Sequence, residues 1–204
     1  MRLMGDEGLL VAMSIEPELV KDIFSTITQT IIGTLEEMVA AGMEFDGVFF
    51  GGDIAYKNGL LFSPAMYREL LYPFHKALFS FVKSIGKIVI YHTDGNCSEI
   101  IGDLIKAGVD VLQPLEVKAG MDLEKAKQKW GERLSFMGNI DVRAILADEK
   151  TMLAELDRKV PLGLNGGYIY HSDHSIPPEV SFRQFTRLVE IVKNIKNPHY
   201  HGEQ

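Results

Sequence analysis

A strand that runs directly into a polar turn is found in the stretch Lys87-Ile88-Val89-Ile90-Tyr91-His92-Thr93-Asp94-Gly95-Asn96. Its apolar, largely β-branched first half is typical of a strand in a packed sheet. His92 and Asp94 follow where that strand ends, and Asn96 suits the start of a helix. In parallel α/β folds the reacting groups lie at the carboxyl edge of the sheet. The stretch therefore indicates both a fold class and the location of a candidate site.

The same order of strand, polar turn and helix recurs along the chain. Five strands are predicted, at residues 47–51, 87–92, 109–113, 134–138 and 168–170. Helices are predicted at residues 17–41, 122–131 and 148–159, and from Asn96 to just before Gly108. A further helix begins at Ser63-Pro64 and is expected to kink or split at Pro73. The last helix follows a capping box of Ser181 and Gln184. This alternation predicts parallel βαβ units within a single domain that covers residues 1–204.

The number of strands limits the architecture. A closed eight-stranded α/β barrel usually needs about 250 residues, whereas this chain has 204 and shows about five β/α units. Its first helix has no obvious strand before it. We therefore expect an α/β fold of the TIM (β/α)8-barrel type that is incomplete at the amino terminus.

Composition excludes several classes of protein. Twenty-one Lys and Arg against 28 Asp and Glu give a net charge of −7, which argues against a nucleic-acid partner. No apolar run approaches the roughly 18 residues that span a bilayer, so we expect no membrane partner. No basic start followed by an apolar stretch and a small-residue cleavage site is found, so we expect no signal peptide. The single cysteine cannot form an intrachain disulfide, which suits a reduced, cytoplasmic setting.

Polar side chains follow every predicted strand. They are Asp53 and Tyr56, His92 and Asp94, Gln113 and Glu116, Asn139 and Asp141, and His171 and His174. Because the carboxyl ends of parallel strands share one edge, we expect these side chains to face a common cavity.

The His92 block is open to three interpretations. His92 and Asp94 could hold a zinc ion, with Glu116 or His174 as a third ligand. Asp94 could instead orient His92 for acid–base catalysis. The block could also be structural, with Asp94-Gly95 forming a bend.

Other candidates also have structural alternatives. Asp53 could bind the N–H groups of a cationic or pyrrolic substrate, or cap local backbone. Asp141 could cap a short helix at residues 142–146, and Asn139 could fix the turn before it. Cys97 lies at a helix start, where the helix dipole could lower its pKa, but a small buried side chain is the simpler interpretation. The segment His199–His201 is expected to lie beyond the last helix.

Seven motifs occur in order over nearly the whole chain, and together they resemble the uroporphyrinogen decarboxylase family, whose superfamily also holds corrinoid and cobalamin-type methyltransferases. They are Phe62-Ser63-Pro64-Ala65-Met66-Tyr67-Arg68-Glu69, Tyr72-Pro73-Phe74-His75-Lys76, His92-Thr93-Asp94-Gly95-Asn96, Ala107-Gly108-Val109-Asp110, Gly138-Asn139-Ile140-Asp141, Gly166-Gly167-Tyr168-Ile169 and Ser172-Asp173-His174-Ser175-Ile176-Pro177.

The resemblance implies the later part of a TIM barrel that removes CO₂ from tetrapyrrole acetate side chains in porphyrin and haem biosynthesis, without a cofactor. It implies catalytic roles for Asp53, His92, Asp94 and His174, with Asp53 and Asp94 on the pyrrole N–H groups and His174 and Tyr56 on carboxylates. The small-molecule substrate would also contact Gln113, Asn139, Asp141 and His171. The arginine-bearing loop and the main pyrrole-binding aspartate of the family's amino-terminal part have no counterpart here.

Two alternatives remain. A methyltransferase acting with a corrinoid protein would use zinc held by His92, Asp94 and Glu116, although Asp94 stands where that branch has a cysteine and the chain has no late cysteine. A catalytically silent barrel fragment would bind a partner or self-associate through exposed strand edges. We expect a homo-oligomer.

Overall fold

The computed structural model describes residues 3–194 and shows an α/β fold around a parallel five-stranded sheet. The strands are β1 (Gly47–Gly51), β2 (Ala55–Tyr56), β3 (Gly59–Leu60), β4 (Ile88–His92), β5 (Val111–Gln113), β6 (Ser135–Ile140) and β7 (Tyr168–Ser172). The helices are α1 (Gly5–Ile15), α2 (Pro17–Ala40), α3 (Pro64–Met66), α4 (Tyr72–Ser84), α5 (Ile101–Ala107), α6 (Leu123–Trp130), α7 (Val142–Leu146), α8 (Glu149–Lys159) and α9 (Phe182–Asn194). The segment His199–His201 lies outside the described residues.

The main sheet has the order β1-β4-β5-β6-β7, with every pair parallel. Gly51 is in register with His92, His92 with Gln113, and Asn139 with His171. The polar residues at the strand ends therefore lie along one edge, as expected for successive β/α units. Strands β2 and β3 form a small antiparallel hairpin within the loop after β1.

The sheet has one face covered by helices and one open face. Val89 and Tyr91 of β4 are buried against the helix layer, in a core that also contains Phe79 and Phe136. On the open face, Phe49, Ile88 and Ile169 are 53%, 45% and 44% exposed. An apolar interior and two open edge strands agree with a barrel that has five of its eight strands.

Helix boundaries follow local signals. Ser63 caps α3 by accepting a hydrogen bond from the Met66 amide at 3.1 Å. The predicted split near Pro73 is present: a π-helical turn at Tyr67–Leu71 precedes α4, because proline lacks an N–H and its ring crowds the preceding turn. Asp122 and Asp148 accept from Lys125 N at 3.0 Å and Thr151 N at 2.7 Å, which caps α6 and α8.

Some boundaries differ from those predicted. The helix expected from Asn96 begins at Ile101, after a 3₁₀ turn at Ser98–Ile100. Asn96 instead donates to the Ala119 carbonyl at 3.1 Å and accepts from Ser98, so it joins two loops. Strands β6 and β7 extend two residues further than predicted, which places Asn139 and His171 inside strands. None of the described helices combines the length and the apolar character needed to cross a bilayer.

Candidate active site

Four side chains meet at the carboxyl edge of the sheet. His92 Nε2 lies 3.4 Å from Asp53 Oδ1 and 3.9 Å from Asp94 Oδ1. His174 Nε2 lies 3.9 Å from the other oxygen of Asp94, Oδ2. The structure thus brings together two imidazoles and two carboxylates from the last residue of β4 and the loops after β1, β4 and β7, and all four remain accessible to solvent. This group is called the mouth cluster below.

Neighbouring strands fix the orientation of His92. Its Nδ1 contacts Oε1 of Gln113, the residue beside it in register on β5. In the tautomer that pairs with this amide oxygen, Nδ1 carries the proton and Nε2 faces Asp53. A neutral His92 therefore presents a proton acceptor towards the mouth, and a protonated His92 presents a donor.

The loop after β4 is tied down at each residue. Asp53 Oδ1 accepts from the Asp94 amide at 3.0 Å, and the buried Thr93 hydroxyl accepts from Ile54 N at 3.1 Å. Sequence patterns had not singled out Thr93, because its contact is with a residue 39 positions earlier. These bonds join the loops that carry Asp53 and Asp94 into one unit.

Gly95 is required by close packing. Its φ is +83°, and a Cβ there would lie 2.5 Å from the Tyr56 amide nitrogen. The Tyr56 carbonyl accepts from Asn96 N at 2.9 Å, so the β2–β3 hairpin rests on this turn. The Tyr56 side chain is about half exposed, and its backbone packs against Gly95, the residue after Asp94.

Glu116 has a structural position rather than a ligand position. It is buried, and its Oε2 accepts from the Gly95 amide at 2.9 Å while Oε1 pairs with Lys118 at 2.8 Å. The metal set predicted from sequence, His92, Asp94 and Glu116, therefore needs correction. The three groups whose ligand atoms lie within 4.8 Å of one another are Asp53, His92 and Asp94.

The surroundings of Asp94 change its proton affinity. Burial raises the pKa of Asp94, and the neighbouring Asp53 and Glu116 carboxylates raise it further, although His92 and His174 act in the opposite direction. A carboxyl group with a raised pKa between two imidazoles is suited to exchanging protons with them.

Asp173 organises the loops around the mouth, and sequence patterns did not identify it as a functional residue. It is 2% exposed; its Oδ2 accepts from Val117 N at 2.9 Å and its Oδ1 from Val142 N at 3.0 Å. Burial raises its pKa, partly offset by these two amide donors. One carboxylate thus holds the loops after β5 and β6 beside His174. The available signal was its position between two histidines in the loop after β7.

Three predicted substrate ligands lie elsewhere. Asn139 is 1% exposed. Its side-chain NH₂ donates to the Leu115 and Met121 carbonyls, and its side-chain oxygen accepts from Leu123 N. Its side-chain amide is therefore used within the fold and does not face a substrate. Asp141 caps α7 and is held by Arg143 in a two-oxygen ion pair, as in the structural alternative considered for it. His171 lines an apolar cavity behind β7.

Cys97 lies in the apolar core. It is buried, and burial raises the pKa of its thiol to about 12, contrary to the lowering that a helix dipole could have produced. The interpretation as a small buried residue agrees with the structure.

The residues present fit a metal ion of the zinc type. One imidazole and two carboxylates are ligand types that zinc accepts, and catalytic zinc sites use three protein ligands with one open position. His174, 3.9 Å from Asp94, borders that group.

Comparison with known proteins identifies the family. Residues 2–195 match the family model described as Uroporphyrinogen decarboxylase (URO-D). The chain is 23% identical over 193 residues to a uroporphyrinogen decarboxylase of Chlorobium chlorochromatii, covering 91% of this chain and 52% of the relative. It is 24% identical over 194 residues to that of Xanthomonas axonopodis pv. citri, covering 88% and 51%. The chain thus spans about half the length of the curated relatives it matches.

A solved structure shares the fold. A methyltransferase from Methanosarcina mazei superimposes with a TM-score of 0.71 at 21% identity, covering 93% of this chain and 53% of that one. At this level of identity the similarity supports the barrel architecture alone.

Proposed function

Because the chain belongs to the uroporphyrinogen decarboxylase family, we propose that it forms the catalytic mouth of a carboxy-lyase that removes CO₂ from tetrapyrrole acetate side chains. The observation that carries the proposal is the convergence of Asp53, His92, Asp94 and His174 on one edge of a parallel sheet. The proposed reaction needs no organic cofactor and belongs to porphyrin biosynthesis.

The decarboxylation requires proton donors and acceptors at fixed positions around the substrate. A proton added to a pyrrole ring makes the ring an electron sink. The bond between the side-chain CH₂ and its carboxylate then breaks, its electrons enter the ring, and CO₂ leaves. The CH₂ carbon takes up a proton and becomes a methyl group, and the ring returns its extra proton. Positioned acids and bases contribute about 10²–10⁴-fold to such transfers.

The residues divide by their chemistry. Asp53 and Asp94 accept hydrogen bonds from the pyrrole N–H groups, while His174 and Tyr56 contact substrate carboxylates. His92 supplies or accepts a proton through Nε2, because Nδ1 is engaged by Gln113. The raised pKa of Asp94 suits a group that shares a proton with His92.

Turnover of uroporphyrinogen by the purified protein, with and without a chelator, tests this proposal. We expect Asp53→Asn to lower the rate by about 100-fold or more. Asp46→Asn, the same chemical change at the opposite end of β1, should retain the rate. Equal rates for wild type and Asp53→Asn, or no CO₂ release by the wild type, would refute the decarboxylase proposal.

A second candidate is methyl transfer with a corrinoid protein. It is favoured by the spacing of Asp53, His92 and Asp94, whose ligand atoms lie within 4.8 Å of one another. Zinc bound there would lower the pKa of a substrate thiol. Metal analysis separates the two candidates: one zinc per chain that is lost in His92→Ala and kept in Asp46→Asn supports methyl transfer, and metal-free turnover of uroporphyrinogen supports decarboxylation.

A further inference from the structure

An apolar cavity of about 370 Å³ lies between β7 and helices α7, α8 and α9, and none of the four mouth-cluster residues lines it. Its walls come from Ile145 of α7, Leu156 of α8, and Leu188 and Val192 of α9, with Tyr170 of β7 contributing its ring. The volume falls within the range of ~300–1,000 Å³ that is usual for small-molecule sites. The mostly apolar lining is also typical of such sites.

The polar atom that points to a ligand is the Tyr170 hydroxyl. Among residues 3–194 it is the buried side-chain polar atom without a hydrogen-bond partner. The neighbouring Tyr168, whose ring centroid lies 5.1 Å away, donates to the Gly138 carbonyl at 2.7 Å. An unpaired buried hydroxyl is costly and uncommon in native proteins, so the Tyr170 hydroxyl is a donor available to a ligand in this cavity.

The charge of the lining selects the kind of head group. Lys193, an exposed residue near the end of α9, borders the cavity, and the lining contains no carboxylate. The other polar lining side chains have partners, since His171 Nδ1 contacts the Ser172 carbonyl and the Ser172 hydroxyl donates to the His174 carbonyl. A ligand that satisfies both Tyr170 and Lys193 must accept hydrogen bonds and carry negative charge.

We propose that this cavity binds a medium-chain aliphatic carboxylate, with its tail among the aliphatic side chains and its head group accepting from Tyr170 Oη near Lys193. The tail contacts α7, α8 and α9 at once, so binding fastens α9 to the rest of the fold. This site is independent of the decarboxylase proposal and requires no turnover for its test.

Calorimetric titration of the full chain with sodium octanoate, beside 1-octanol, tests the site. We expect saturable octanoate binding that is about tenfold weaker in Tyr170→Phe and in Lys193→Gln, and octanol binding weaker than octanoate by a similar factor. Because Tyr170→Phe removes an unpaired hydroxyl, it should raise the unfolding temperature of the free protein while weakening octanoate. A structural role for this hydroxyl would instead lower the unfolding temperature, so a higher unfolding temperature together with weaker octanoate binding identifies a ligand contact.

Tyr168→Phe is the matched control. It removes a hydroxyl that is already satisfied, so it should lower the unfolding temperature and leave octanoate affinity within about twofold. The proposal is overturned if octanoate does not bind saturably, or if Tyr170→Phe and Lys193→Gln bind it as the wild type does. Equal affinity for octanol, or a lower unfolding temperature of free Tyr170→Phe, overturns the assignment of the head group.

Discussion

Single glycines decide how closely the mouth loops can approach one another. Gly95 combines a left-handed backbone with contact to the β2–β3 hairpin. Gly138 has φ +124°, and a Cβ there would overlap the Pro114 carbonyl oxygen. Residues with a side chain rarely adopt this conformation and would not fit the space. Each glycine therefore has a steric function that its sequence neighbours do not reveal.

Gly95→Ala should destabilise the protein, because its Cβ would lie 2.5 Å from Tyr56 N and the hairpin would have to move. We expect the free energy of unfolding to fall by more than ~1 kcal/mol in urea titrations. Gly33→Ala, within α2 and with no atom within 4 Å of the added Cβ, should instead raise it by ~0.5–1 kcal/mol. Equal effects of the two substitutions would contradict this account.

The elements show why some boundaries are predictable from sequence. Caps such as Asp122 and Asp148 depend on residues three positions away, and the predicted helices begin at these two residues. The start of α5 depends instead on a contact between Asn96 and Ala119, which no local pattern contains. Helix α1 lacks a capping side chain and was not predicted.

The same reasoning applies to the site. Parallel topology alone brings strand ends together, so the convergence of Asp53, His92, Asp94 and His174 could be expected from the order of elements. The interior roles of Asn139, Glu116 and Asp173 could not, because they depend on which loop amides and carbonyls need partners. A polar residue at a strand end thus predicted where its side chain lies better than it predicted what that side chain does.

Asp148→Ala should shorten or fray α8, because the Thr151 amide loses the acceptor that satisfies it at 2.7 Å. The expected loss is ~1 kcal/mol in the free energy of unfolding. Asp157→Ala, an exposed change near the other end of the same helix, should be neutral or slightly stabilising because a negative charge is unfavourable there. A larger loss for Asp157→Ala would argue against the capping role.

At the scale of the whole molecule, the two open edges of the sheet are the main feature. Neither β1 (Gly47–Gly51) nor β7 (Tyr168–Ser172) contains Lys, Arg, Asp, Glu or Pro, the residues that usually protect exposed edges. Apolar side chains on the open face lie between these edges. The exposed strands are therefore able to pair with further strands.

Residues 1–204, purified alone, should self-associate through these edges. Light scattering should give a mass above that of one chain, and the double change Phe49→Lys with Ile169→Lys should shift it towards the monomer. Val39→Lys on α2, at an apolar position 43% exposed and away from the sheet, serves as the control. A single-chain mass over a wide range of wild-type concentrations would contradict the prediction.

A buried histidine makes stability depend on pH. Burial lowers the pKa of His75 from 6.5 to about 4, and its ring lies against Tyr67, Phe79 and Tyr91. Between these pH values the unfolded chain binds a proton that the folded chain does not, so stability falls as pH drops below 6.5, by roughly 3 kcal/mol near pH 4.

Urea unfolding of wild type and His75→Phe at pH 7 and pH 4.5 measures this contribution. The variant loses the contact with Tyr67 at both pH values, so it should be less stable at pH 7. Its disadvantage should shrink at pH 4.5, where the wild type alone must keep an imidazole neutral. A difference that stays constant between the two pH values would assign the acid sensitivity to other groups.

The double contact of Asp173 has a consequence for anyone who wishes to redesign this protein. Loops on such scaffolds are commonly treated as interchangeable parts, each open to replacement on its own. Here the connections after β5 and β6 share one acceptor supplied by the connection after β7. New specificities should therefore be grafted as a set of three segments. Exchanging the connection after β7 alone would deprive the other two of their common anchor, and exchanging either of those alone would leave one oxygen of Asp173 without its donor.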